Sequence, residues 1–242
     1  MEELQQLKAD IHYGLAAATN ETNDAEGCLY HTKILLDLRL CIFEATGTLD
    51  LRLAVAHNEV GIAWVMNGQH QNGVTAFKRS IEVFKLLPEA VLAIDTNPRT
   101  NLAFTYWVMG DLEDAGRTFE DLLRDRETRF GTVLGNANHK TADLMYRVAQ
   151  HCLRRGECNQ ARSLLNKALK VWRMKESIFV PEIARAHFLM AKILSRHGNY
   201  AEANSALQQA AARRKEIGRA HWKEDSDLVE HDFDELLTFY DR

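Results

Sequence analysis

Few residues in this chain stand at the spacings that chemistry requires. His151, Cys152 and Cys158 come nearest to a metal cluster, because imidazole and thiolate are both zinc donors. Cys152 falls within an apolar helical run and Cys158 opens the next one, so both read as packing residues. His187 with Arg185 and Lys192 could line a small-molecule pocket, although a lone histidine on a helix is ordinarily packed or solvated. Arg213, Arg214, Lys215 and Arg219 near Trp222 could hold a phosphate, but a solvated outer helix face is the simpler expectation. The run Glu230-His231-Asp232-Phe233-Asp234-Glu235 reads as the wet face of a closing helix. Neither a phosphate-binding glycine loop (G-x-x-x-x-G-K-[ST], G-x-G-x-x-G) nor H-E-x-x-H or G-x-S-x-G occurs. No metal and no cofactor is expected, and binding is a more natural function than catalysis.

Composition narrows the class of partner. The 242 residues are 46% hydrophobic and 26% charged with three prolines, which suits a folded, helix-rich chain. The net charge of −4 lacks the basic excess of a nucleic-acid binder. The opening MEELQQLKAD is acidic and polar, unlike a secretory leader, and no apolar run is long enough to span a membrane. Four cysteines without C-x-x-C spacing read as small core hydrophobes in a reducing compartment. A cytoplasmic protein that binds neither nucleic acid nor membrane is expected.

What could position a binding surface is an internal repeat. Gly68, Gly110, Gly156 and Gly198 each end an apolar helical run, at separations of 42, 46 and 42 residues. Seven residues before each stands a small residue (Gly61, Ala103, Ala149, Ala191), and four before each a bulkier one (Trp64, Tyr106, Cys152, Leu194). Five after comes Gly73, Ala115, Ala161 or Ala203, and nine after comes Phe77, Phe119, Leu165 or Leu207. Small residues let two helices approach, and the larger ones fill the gap beside them. Glycine stops the first helix because it accepts a left-handed backbone. Pro88, Pro98 and Pro181 fall at predicted helix boundaries. The four additional residues of the 46-residue spacing fall near Gly131 to His139 and predict a longer loop.

Phrases such as LAFTYWVMGDLEDAGRTF and MAKILSRHGNYAEANSAL resemble the tetratricopeptide repeat. The 42-residue period, with GNANHKTADLMYRVA, is similar to the long repeats of kinesin light chain and of many uncharacterised fungal proteins. The resemblance implies an all-α fold, a right-handed α-solenoid of tetratricopeptide-like hairpins with capping helices at both ends. One domain is expected over residues 1–242. A degenerate hairpin occupies 1–47, four repeats 48–220, and a C-terminal capping helix 225–242. In the first segment Leu4, Leu7, Ile11 and Leu15 form a stripe that fits the small-residue positions poorly. In the last, Val229, Phe233, Leu236, Leu237 and Tyr240 make an apolar face.

The resemblance further implies that the first helix of each hairpin lines a concave groove for a protein or extended peptide. Mapped onto this chain, that surface holds Asn58, Asn101, Phe104 and Trp107 in its first half. Arg147, Gln150, Arg154 and Lys192 belong to its second half, where five bases and one acid suggest an acidic partner end. Asp227, Glu230 and Asp234 recur at equivalent positions of the last helix, so ordinary ion pairs could neutralise Arg185 and Lys192. Arg147 and Arg154 are then expected to be the open cations. Only Asn101 matches the carboxylate clamp by which related repeats hold chaperone tails. A non-catalytic scaffold or adaptor is the expected function. Alternatives are a ligand-sensing array related to larger multidomain sensors, or a biosynthetic enzyme using the groove as a pocket.

Overall fold

A computed structural model describes residues 2–88, 96–130, 139–217, 223–224 and 227–237. Among these it has eleven helices and no strand. They are α1 (Glu2–Glu21), α2 (Ala25–Thr46), α3 (Leu51–Met66), α4 (His70–Lys85), α5 (Thr96–Val108), α6 (Leu112–Phe130), α7 (His139–Arg154), α8 (Cys158–Arg173), α9 (Val180–Arg196), α10 (Tyr200–Ile217) and α11 (Glu230–Asp234). The chain divides into two compact units, the first running to Thr118 and the second from Phe119 to Leu237. Within the first, α1 pairs with α2 and α3 with α4; within the second, α7 pairs with α8 and α9 with α10.

All four repeat glycines are left-handed, with φ of 73°, 88°, 82° and 78°. The residue after each glycine donates its backbone N–H to the carbonyl of the bulky position four residues before it. Gln69 reaches Trp64, Asp111 reaches Tyr106, Glu157 reaches Cys152 and Asn199 reaches Leu194, all at 2.8 to 3.0 Å. That is the Schellman closure, and it satisfies a carbonyl the helix end would otherwise orphan. The same four residues accept from Gly73, Ala115, Ala161 and Ala203, starting the returning helix. One local device thus ends one helix and begins its partner, four times.

The small positions are interior. Ala103, Ala149, Ala115 and Ala161 are wholly buried, as are Phe77, Phe119 and Leu165 beside them. In the first unit the approach is closest, because a Cβ built on Gly61 would stand 2.7 Å from the Phe77 ring. Consecutive hairpins are tied by side chains reaching across one repeat. Asn67 donates to the Ala25 carbonyl at 2.7 Å, and Arg196 donates to the Leu153 carbonyl. Pro181 lies in the first turn of α9, where its missing N–H costs nothing.

The first helix, whose stripe fitted the small-residue positions poorly, shows Leu4, Leu7, Ile11 and Leu15 to solvent and packs through Ala9 and Ala16. Two expectations need correction. The closing helix is a single short segment, α11, in which Phe233 is buried against Phe188, Ala184, Ala210 and Ala211. Cys41 is exposed, so it is not a core hydrophobe, whereas Cys28 and Cys152 are. Residues 131–138, where the longer loop was expected, lie outside the described residues, as do Arg219, Trp222 and Tyr240.

Two glycines distinguish packing from propensity. A Cβ on Gly73 would lie 2.3 Å from Val65 Cγ2 and 3.1 Å from the Gly61 carbonyl, while one on Gly14 meets nothing within 4 Å. Gly73→Ala should therefore destabilise the chain by about 1 to 3 kcal/mol through overpacking. Gly14→Ala should stabilise it by up to about 1 kcal/mol through helix propensity. Denaturant titration of the two variants checks the opposite signs.

Candidate functional site

The eight residues expected to line the groove fall in both units. Asn58, Asn101, Phe104 and Trp107 belong to the first, and Arg147, Gln150, Arg154 and Lys192 to the second. In the first unit α3 and α5 bring two amides together. Asn101 Nδ2 donates to Asn58 Oδ1 at 2.9 Å, and Asn58 Nδ2 donates to Glu59 Oε1 at 3.2 Å. Asn58 is buried, Asn101 and Trp107 are half-buried, and Phe104 is buried. This amide pair is repetitive in origin, because consecutive hairpins place the two side chains side by side.

Glu59 gives the amide chain its electrostatics. Burial pushes its carboxyl up to about 7, against the hydrogen bond from Asn58, which favours the ionised form. After burial, the same carboxylate raises the Tyr13 hydroxyl on α1 and the Cys28 thiol on α2, the latter to about 11. Nearby, His12 and His31 face each other across α1 and α2, with their Nδ1 atoms 3.1 Å apart. Burial and then His31 lower the His12 pKa. Sequence places Glu59 among the groove-facing positions but not its perturbed carboxyl, and it did not single out the histidine pair, since an unusual environment leaves no mark on residue spacing.

In the second unit the inner faces of α7 and α9 are occupied by α11. Lys192 Nζ donates to Glu230 Oε2 at 2.5 Å, and Gln150 Nε2 donates to Glu230 Oε1 at 2.6 Å. Burial disfavours the Glu230 carboxylate, but Lys192, Gln150 and Arg147 outweigh it and hold the pKa below the ordinary value. Arg185 is buried, with its guanidinium 4.2 Å above the Tyr146 ring and Nη1 3.6 Å from Asp234 Oδ1. Arg147 is not the open cation expected. It is buried and donates to Gln150 Oε1 at 3.1 Å, and burial followed by repulsion from Arg185 lowers its pKa to about 10. Arg154, in the last turn of α7, is exposed.

The other clusters resolve as parts of the fold. His151 is buried, 3.9 Å from Glu120 Oε1, Cys152 is buried and Cys158 is half-buried. His187 lies 3.4 Å from Arg173 Nη2, and burial followed by Arg173 lowers its pKa to about 4. Arg213 pairs with Glu176 and Glu216. Arg214, expected on a solvated face, is buried and directed at the Asp232 carbonyl. Among the described residues no group of three or more metal-binding side chains converges, and no helix is long and apolar enough to cross a membrane.

Comparison with known proteins follows the same lines. Residues 140–216 match the tetratricopeptide repeat family model. No curated protein matches the chain by sequence. Among solved structures, a kinesin-light-chain-like protein of nearly identical TPR-like repeats from Podospora anserina is 16% identical. It superposes with a TM-score of 0.64, covering 90% of this chain and 99% of that one. Aspartyl phosphate phosphatase F of Bacillus subtilis is 14% identical with a TM-score of 0.67, covering 99% of this chain and 57% of that one. The Rap conjugation gene regulator of plasmid pLS20, solved with the Phr* peptide, is 13% identical with a TM-score of 0.65, over 85% of this chain and 53% of that one. This chain thus spans about half the length of the last two. Residues 140–216 thus match the tetratricopeptide repeat, and over most of its length the chain shares the fold of these repeat structures.

Proposed function

We propose that the chain is a non-catalytic binding module, and that a protein or extended peptide lies on the α3–α5 face of the first unit. The observation that carries this reading is the Asn101–Asn58–Glu59 hydrogen-bonded chain, with half-buried Trp107 further along α5. An amide side chain offers donor and acceptor together, which suits the N–H and C=O pairs of a peptide backbone. An indole on the same helix supplies large, stiff contact area, the usual make-up of a binding hot spot. The relative solved with the Phr* peptide supports a peptide as the class of partner. Acidity of the partner is no part of this reading, because Lys192 and Arg185 already face Glu230 and Asp234. A cytoplasmic location remains part of the proposal.

Affinity capture from native lysate with the intact chain tests the surface. Trp107→Ala and Asn101→Ala should each weaken capture of the specific partner, by about tenfold or more for the indole. Arg213→Glu with Arg214 intact should leave capture unchanged. Equal retention by the Trp107, Asn101 and Arg213 variants would refute the assignment.

Glu59 adds a pH signature. Its folded pKa of about 7 lies above the ordinary carboxyl value of 4.5. The native state therefore holds its proton more tightly than the unfolded chain. The associated stability is fully present below about pH 4.5 and is lost as pH rises through about 7. Glu59→Gln should match the parent protein near pH 4.5 and exceed it at pH 8 by on the order of 1 to 3 kcal/mol. Thermal unfolding at the two pH values measures the difference.

A further inference from the structure

The first helix is amphipathic in the wrong sense for a single copy. It is held to the fold by its small face, where Ala9 is wholly buried against Leu35 and Ala56, with Ala16 buried on the same side. On the opposite face Leu4, Leu7, Ile11 and Leu15 are 56%, 58%, 52% and 43% exposed. Their spacing of three, four and four residues keeps all four within about 80° of the helix circumference, one continuous stripe. Four large apolar side chains so exposed on one helix face are unusual for a solvated surface. From Leu4 to Leu15 the stripe runs about 17 Å along the helix, and contiguous exposed apolar surface of this kind marks an interaction site.

We infer that this stripe is a self-association surface, on which α1 of a second copy packs parallel to the first about a two-fold axis. The charges along its edges choose the occupant and its direction. Written as heptads, Leu4 and Ile11 take the a positions and Leu7 and Gly14 the d positions. Glu3 is then at g and Lys8 at e, and both are exposed. In a parallel two-helix seam a g residue meets the e residue five positions on in the other helix. Glu3 of each copy therefore faces Lys8 of the second copy, twice by symmetry. An antiparallel seam would set g against g and e against e, placing Glu3 among acids and Lys8 beside Lys8. Asp10, the other acidic g residue, is already held by Arg39 of its own chain at 2.6 Å. A lipid surface fits less well, because interfacial helices carry Lys and Arg along the polar flank, whereas this flank has Glu3 and Asp10 against Lys8.

A footprint confined to one helix implies a dimer that exchanges with monomer, below the standard interface size. Sedimentation velocity of the purified chain over a wide concentration range should show a monomer–dimer equilibrium. Leu7→Asp and Ile11→Asp should each raise the dissociation constant by about tenfold or more. Both residues point away from the core, and circular dichroism confirms that helicity is kept. Lys8→Glu alone should weaken the dimer, and Glu3→Lys added to it should restore the parent value. A chain that stays monomeric throughout overturns the inference, as does a dimer indifferent to Leu7→Asp and Ile11→Asp. A double charge swap no tighter than Lys8→Glu alone overturns the parallel arrangement. Co-sedimentation of a monomer with zwitterionic and anionic phospholipid vesicles, abolished by Leu7→Asp, would overturn it in favour of a lipid surface.

Discussion

Two antiparallel helices can close on each other only where a side chain is nearly absent, and that constraint organises this molecule. In each hairpin the near-absence occurs twice, once on each helix, as at Gly61 and Gly73 or at Ala149 and Ala161. The turn between them must then be short and fixed, or the two small residues would not meet. A glycine at positive φ supplies that turn in all four repeats, and the following residue closes it with one backbone hydrogen bond. Shifting either small residue by one place would rotate it about 100° around its helix and put a larger neighbour at the contact. The offsets of seven, four, five and nine residues around each glycine are therefore steric requirements rather than habits of sequence. Burial of Phe77, Phe119 and Leu165 follows from them, since each fills the space beside a contact that lacks side chains.

Stacking adds a second layer of consequence. Because one hairpin repeats the last, side chains at equivalent or adjacent positions of neighbouring helices lie side by side, and polar ones find each other. Asn58 and Asn101 bond across 43 residues of sequence, as Asn67 does with the carbonyl of Ala25. Each such link joins two hairpins at little entropic cost, because both backbones are already fixed by their own turns. In the second unit the same logic draws Gln150 of α7 and Lys192 of α9 to a single carboxylate, Glu230.

What could be read from sequence was what local sterics dictates. The hairpins, their register and the glycine closures were legible because every determinant lies within nine residues of Gly68, Gly110, Gly156 or Gly198. The inner surface was less so, since Arg147 and Arg154 occupy equivalent-looking positions seven residues apart while one is buried and the other exposed. Gln150, which accepts from Arg147, is itself held by Glu230 of α11, a long-range contact that no spacing encodes. For α1 the periodicity gave the stripe correctly but not its side. A leucine stripe ordinarily faces the core, and here Ala9 and Ala16 take that place, Ala9 against Leu35 and Ala56.

The seat of α11 shows how a polar surface can specify a packing arrangement. Phe233 stacks on Phe188 with ring centroids 4.6 Å apart, and this contact alone would tolerate some sliding. The charges around it do not. Arg185 is 1% exposed, and neither its Nε nor its Nη1 has a hydrogen-bond partner among the described residues. A buried guanidinium so placed is costly unless a carboxylate stands close. Asp234 stands 3.6 Å away, one helical turn from Glu230, which is itself held by Lys192 and Gln150. Moving α11 by one residue would carry both carboxylates off their cations and leave Arg185 with only the face of Tyr146. The ionic contacts need not contribute much net stability to have this effect. Their role is to make every other register worse, so that the apolar contact at Phe233 forms in one place.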